Sequence, residues 1–231
     1  MFGKNPVLKA DYKNNGQQLH IVKGSPFLTV QGEGPFSGRR AYFLRLHGCP
    51  LRCEFCDTSF SDPDDPIFDI QHLLVTLNAP GSPSLIVITG GEPMRQDIRP
   101  LCKILHSQGK QIQIETAGMY WLDGIEKLAD IVCSPKTPSI HNKIREHALA
   151  FKYVIDHRQQ FDRFIPITAT QPNTKPKRLA EPRENALIYL SPMDCYNEAD
   201  NKANHELIGK MAMQFDNCIA GLQIHKLMNL D

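Results

Sequence analysis

Three cysteines crowd into the stretch RLHGCPLRCEFCDTSF (45–60): Cys49, Cys53 and Cys56, at C-x3-C-x2-C spacing. Thiolates are soft donors, so three this close point to zinc, to an iron–sulfur cluster or to dithiol redox chemistry. Zinc would need four ligands, and His47, two residues before Cys49, offers a fourth. Structural zinc sites, however, usually come as ligand pairs divided by a longer spacer. A redox CxxC would use Cys53 and Cys56 and leave Cys49 unexplained. A [4Fe–4S] cluster on three cysteines uses every sulfur and leaves one iron open to a substrate or cofactor. Spacing alone leaves the three readings standing.

Neighbouring residues carry chemistry of their own. Arg45 interrupts the apolar run AYFLRLHG (41–48), where an unpaired guanidinium would be costly. A structural ion pair accounts for it, or a ligand carboxylate gripped by its planar fork. Gly90-Gly91 closes a second apolar run, either as a simple turn or as bare backbone that lets a ligand approach. QGEG (31–34) reads as a turn, Asp57-Thr58 as a helix cap, Glu115 as a cap or turn residue and His225 as a packed histidine.

The elements that must position these groups are an α/β set. Seven apolar runs recur: 41–48, 85–91, 110–118, 129–135, 150–156, 186–192 and 220–225. Between them, Ile98, Leu101, Ile104 and Leu105 form a stripe at helical spacing that ends before Gly109, and Leu207, Ile208, Met211 and Phe215 form another. Strands alternating with helices argue for a parallel sheet covered on both faces. The stretch 166–185, with its prolines and charges, reads as a long surface loop where a crossover helix is missing. In such sheets ligands bind beyond the carboxyl ends of the strands, which is where the cysteine loop, TGGEP, ETAG, SPK (134–136) and SPMD (191–194) fall.

A length of 231 residues suits one domain, here 1–231 with a polar N-terminal extension (about 1–24) and the Pro-rich insert (about 166–185). A formal net charge of +1 with scattered basic residues gives no electrostatic case for nucleic acid. Seven cysteines, an odd number unevenly spaced, do not make a disulfide framework. Cys102, Cys133, Cys195 and Cys218 read as small buried hydrophobes. With neither a signal-peptide pattern nor a membrane-length apolar run, the chain reads as cytoplasmic.

The cysteine loop, with Phe55 before its last cysteine, resembles the signature of the radical S-adenosylmethionine superfamily, and TGGEP resembles that superfamily's cofactor motif. More narrowly, VQGEGPFSGRRAYFLRLHGCPLRCEFCDT, VITGGEP, ETAG, SPK and QIHKLMNLD resemble the 7-carboxy-7-deazaguanine synthases. The segments 61–84 and 137–186 carry no recognisable match. The resemblance implies a partial, parallel-stranded barrel of six or seven strands with fewer crossover helices than a full barrel. It implies a carbon–nitrogen lyase that turns 6-carboxy-5,6,7,8-tetrahydropterin into 7-carboxy-7-deazaguanine with loss of ammonia, on the route to queuosine and other 7-deazapurines. By resemblance, Cys49, Cys53 and Cys56 hold three irons of a [4Fe–4S] cluster and S-adenosylmethionine chelates the fourth. Phe55, Cys56, Asp57, Gly91, Ser134, Pro135, Lys136, Ser191, Pro192, Met193 and Asp194 would hold that cofactor, with Thr58 on Mg2+. Val30, Gln31, Gly32, Glu33, Arg45, Thr89 and Asp231 would hold the pterin. A flavodoxin-type electron donor and a homodimer are implied, and neither nucleic acid nor membrane. Two other readings are a different small radical enzyme of the activase type and a non-catalytic zinc-binding α/β protein.

Overall fold

The computed structural model describes residues 5–11, 16–56, 58–60, 62, 64–169, 171 and 173–230. In chain order the elements are β1 (Gln18–His20), β2 (Phe27–Val30), β3 (Arg40–Leu46), β4 (Ile67–Asp69), α1 (Ile70–Leu77), β5 (Leu85–Gly90), α2 (Arg99–Ser107) and β6 (Gln111–Thr116). There follow β7 (Asp130–Cys133), α3 (Asn142–His147), β8 (Ala150–Ile155), β9 (Gln160–Asp162), β10 (Ile165–Thr168) and β11 (Lys177–Arg178). The chain then forms β12 (Leu187–Pro192), α4 (Glu198–Gln214), β13 (Cys218–Ala220) and α5 (Ile224–Leu227).

Eight strands form one sheet in the order β13-β12-β8-β7-β6-β5-β3-β2. From β3 to β13 all neighbours run parallel, and only β2 is antiparallel, pairing Val30 with Arg40. The sheet keeps two free ends, so it is a partial barrel. Leu85, Ile86, Val87 and Ile88 of β5 are all fully buried, as an unbroken apolar run must be when both faces of a strand are covered. Helix α2 presents Leu101, Cys102 and Leu105 to this core. Each fully buried leucine contributes roughly 1.5–3 kcal/mol. Among the described residues no helix is long and apolar enough to cross a membrane.

Crossovers are sparse on one side. Helices α1, α2, α3 and α4 connect parallel neighbours, whereas β6 reaches β7 through one 3-10 turn, Ile125–Lys127. Among the described residues between β8 and β12 no helix occurs, in keeping with the prolines of 166–185. That stretch is nevertheless not wholly a loop. Ile165–Thr168 pairs with both Gln160–Asp162 and Lys177–Arg178 in a small antiparallel sheet, because alternating Ile165 and Ile167 give β10 one apolar face.

One further expectation is corrected. The last apolar run, read as strand over 220–225, is strand only over Cys218–Ala220, and Ile224–Leu227 is a short helix. Several described residues of the N-terminal stretch pack against the rest of the chain. Leu19 and Ile21 are fully buried, β1 pairs with β4, and Val7 bridges to Cys49.

Candidate active site

The carboxyl ends of the parallel strands surround one cleft of about 690 Å3. Its cysteine side begins where β3 ends. Gly91 N donates to Leu46 O and Glu92 N to Gly48 O, both at 2.9 Å, so the exits of β3 and β5 are sewn together by backbone. Only glycine fits here. A Cβ on Gly90, whose φ is +116°, would lie 2.2 Å from Leu46 N, and one on Gly91 would lie 2.0 Å from Gly48 O. The Gly-Gly pair therefore meets a packing demand at the cleft wall, which it also lines. Glu92, fully buried, braces the same corner by accepting from Thr116 Oγ1 at 2.7 Å and Ala117 N at 2.9 Å. Complete burial pushes its pKa up to about 7 against these donors.

Cys49, Cys53 and Cys56 all line the cleft and none is in a disulfide. Burial pushes the thiols of Cys49 and Cys53 up. Their contacts are weak: Gln171 Nε2 donates to Cys53 Sγ at 3.5 Å, and the Cys56 thiol faces Thr58 O at 3.4 Å. Among the described residues no three His, Cys, Asp or Glu side chains converge as a ready-made metal site. His47, the candidate fourth zinc ligand, is engaged elsewhere. Its Nδ1 meets Asp65 Oδ2 at 2.8 Å in a buried pair, and its ring stacks on the half-buried His20 at 3.7 Å. Gln171 comes from the Pro-rich insert and also accepts from Arg52 N at 2.6 Å, so the insert covers the cysteine loop.

Arg45 and Thr89 are register neighbours on β3 and β5, and both line the cleft. The guanidinium lies over the Phe27 ring at 5.1 Å and reaches Thr58 Oγ1 at 3.5 Å. Among the described residues no carboxylate pairs with it. The ion-pair explanation for Arg45 thus finds no partner there.

On the opposite wall, Lys136 Nζ donates to both Ser134 O, at 3.0 Å, and Ser134 Oγ, and sits 5.8 Å from the Phe55 ring centroid. Burial pulls its pKa down. Ser191 lines the cleft with a buried Oγ that has no hydrogen-bond partner among the described residues. Pro192 and Met193 line it too, and Met193 N is tied to Ile155 O at 2.8 Å. Asp194 is spoken for by Lys226 at 2.5 Å and Asn201 Nδ2 at 3.0 Å. Burial would raise its pKa, but these donors hold it down at about 2. Pro135 is buried beside the cleft without being part of its lining. Asp57 and Asp231 lie outside the described residues.

Val30, Gln31, Gly32 and Glu33, at the exit of β2, form the cleft's polar side. A Cβ on Gly32 would fall 1.7 Å from His225 Nδ1, so any larger residue there would have to displace the His225 ring. Ile224 N also donates to Gly32 O at 3.1 Å, so the C-terminal segment packs against the free β2 end of the sheet. Glu33 and Glu115 both bind Lys152, at 2.7 and 2.5 Å. Lys152, Gln113, Gln223 and Lys226 escaped the sequence reading. Lys152 sat in an apolar run, AFKYVID, as Arg45 did, and that same signal could have found it.

No family model matches the chain. It is 34% identical to the 7-carboxy-7-deazaguanine synthase of Rhodospirillum rubrum, over 100% of both chains. The chain belongs to the 7-carboxy-7-deazaguanine synthase family. The synthase of Rickettsia prowazekii is 35% identical, with 100% of this chain and 96% of that one covered. The crystal structure of QueE from Escherichia coli superposes with a TM-score of 0.58 over 85% of this chain and 93% of that one, at 24% identity. It supports the fold.

Within this synthase-family fold, the donor set suits an iron–sulfur cluster. Three cysteines outside any disulfide share one loop and one cleft, and the nearest histidine is engaged by Asp65.

Proposed function

We propose that the chain is a radical S-adenosylmethionine enzyme that converts 6-carboxy-5,6,7,8-tetrahydropterin to 7-carboxy-7-deazaguanine with loss of ammonia. One observation carries the reading beyond family membership. The cleft lined by Cys49, Cys53 and Cys56, none of them in a disulfide, also holds Arg45, a guanidinium beside Thr58 with no carboxylate partner among the described residues. That is the provision needed by a substrate bearing a carboxylate.

Cys49, Cys53 and Cys56 are the ligands for a [4Fe–4S] cluster with one iron left open. When bound, the cluster and S-adenosylmethionine together supply a reducing electron and a 5′-deoxyadenosyl radical. Ser134, Lys136, the Ser191–Asp194 loop and the Gly91 backbone make up the cofactor wall. The orphaned Ser191 hydroxyl supports this, because a buried polar group normally has a partner. Arg45 orients the substrate carboxylate. Thr58 Oγ1 offers a hard oxygen to Mg2+, which keeps its other positions for water and substrate. Thr89 and the Gln31–Glu33 turn line the cleft where they would face the pterin ring. Phe55, Pro135, Asp57 and Asp231 keep the roles the family resemblance gives them. A flavodoxin-type electron donor, a homodimer and a cytoplasmic site belong to the same reading on family membership.

Anaerobic reconstitution, followed by iron and sulfide analysis, tests the reading first. About four irons per chain are expected. The reconstituted enzyme should then form the deazaguanine acid from the pterin with S-adenosylmethionine, Mg2+ and a reductant, as followed by mass spectrometry. Stoichiometric zinc without iron, or cofactor cleavage that never yields the acid, would overturn it.

A further inference from the structure

Lys152 lies in the middle of β8, where the neighbouring residues Phe151 and Tyr153 are fully buried. An ammonium at such a position is costly unless it is paired and fully hydrogen-bonded. Lys152, only 8% exposed, is paired twice: with Glu33 Oε2 at 2.7 Å and with Glu115 Oε2 at 2.5 Å. The carboxylates come from separate elements, Glu33 from the turn after β2 and Glu115 from β6. Their other oxygens are engaged as well. Gln223 Nε2 donates to Glu33 Oε1 at 2.9 Å, while Gln31 Nε2 and Gln113 Nε2 donate to Glu115 Oε1 at 3.1 and 2.9 Å. Gln31 Oε1 in turn accepts from Glu33 N at 3.1 Å.

A layer of polar groups thus crosses the inside of the partial barrel, centred on one cation. Two carboxylates against one ammonium leave one negative charge in this layer, and Gln31, Glu33, Glu115 and Lys152 all line the cleft. Carboxylate oxygens accept more than one hydrogen bond each. Such a surface suits a ligand edge rich in N–H donors, and the 2-amino-4-oxopyrimidine edge of a pterin presents adjacent ring and amino N–H groups. Substrate and product of the proposed reaction share that edge.

We propose that Lys152 is a positioning residue that keeps Glu33 and Glu115 ionised and fixed in orientation, so that they accept hydrogen bonds from the N–H edge of the pterin. The inference rests on the function proposed above. Without the ammonium, two like charges would face each other in a buried layer. One of them would take up a proton and turn from acceptor to donor. Electrostatics agree with the geometry. Burial would raise the Glu33 pKa, but the adjacent Lys152 holds it at about 2, and the two carboxylates keep Lys152 charged despite its own burial.

The test uses the reconstituted, magnesium-loaded enzyme with S-adenosylmethionine. Lys152→Met keeps length and removes charge; Lys152→Arg keeps the charge. Pterin affinity is measured by calorimetry and turnover by product formation. The expected result is a rise in Kd and KM of tenfold or more in Lys152→Met, a smaller fall in kcat, and partial recovery in Lys152→Arg. In a Glu33→Gln/Glu115→Gln background, adding Lys152→Met should change pterin affinity less than threefold, because no charges remain to be held. If Lys152→Met alone fails to fold, the triple variant, judged against Glu33→Gln/Glu115→Gln, carries the test. Pterin affinity within twofold of the parent in Lys152→Met would overturn the proposal, as would an undiminished loss in the double-glutamine background. If the parent itself binds no pterin, the proposed function falls, and this inference with it.

Discussion

The two sides of the cleft are built differently. The polar layer is carried largely on strands: Gln113 and Glu115 lie within β6 and Lys152 within β8. The ionised groups of that layer are satisfied by partners at 2.5–3.1 Å. The cysteine side lies outside regular strands, with Gln171 Nε2 at 3.5 Å from Cys53 Sγ and Thr58 O at 3.4 Å from Cys56 Sγ. One side is therefore organised by the chain itself. The other is shaped by backbone packing and, on the proposed reading, would gain binding energy from the cluster it holds. Burial raises the thiol pKa of Cys49 and Cys53, so a metal centre would have to supply the charge that makes them thiolates.

Substitutions can break this contrast. The largest effect is expected for Cys53→Ser, which should lose cluster loading and product formation altogether while the polar layer stays intact. Iron content and the cluster's visible absorption would show the first, and a thermal unfolding midpoint within about 3 °C of the apo parent would show the second. A collapse of folding in that variant would mean that the two sides are not independent. Next comes Gly91→Ala. Its Cβ would meet Gly48 O at 2.0 Å, a backbone atom that cannot rotate away. A destabilisation of about 3 kcal/mol or more in urea titration is expected, together with poor cluster loading. A loss under about 1 kcal/mol would show that the cysteine loop yields more easily than its packing suggests.

Thr58→Ala should act only on the metal. With Thr58 partly exposed, stability should change by no more than about 0.5 kcal/mol. The Mg2+ concentration needed for half-maximal turnover should rise several-fold, and an unchanged magnesium response would remove Thr58 from the ligand set. The smallest effect is expected for Gln171→Ala. Its amide hydrogen bond to Cys53 Sγ would stabilise a reduced cluster, so its loss should move the reduction potential to a more negative value in an EPR-monitored titration. An unshifted potential would mean that the Pro-rich insert only shields the cluster side.

Much of the fold was legible beforehand. The Val- and Ile-rich run of β5 announces a strand covered on both faces, and the 98–105 stripe announces α2. The last strand was misplaced because AGLQIH is apolar enough to pass for strand, whereas Gln223 and Ile224 turn to meet the β2 exit. β1 and β4 went unread because three-residue strands carry almost no periodicity. In the cleft, the cysteine trio, Arg45 and Gly90-Gly91 stood out through local oddity. His47 also stood out, and the structure gives it to Asp65 instead.

The sequence by itself determined the parallel α/β plan and the presence of three clustered cysteines followed by a glycine pair, because these depend on residue type and short spacing. The tertiary structure decided which charges meet. Lys152 finds Glu33 119 positions away and Glu115 37 positions away, and the Pro-rich insert finds Cys53 118 positions away. Such pairings follow from which strand ends the sheet order brings together. A run of residues encodes its own burial and curvature, but not the charge on the strand beside it.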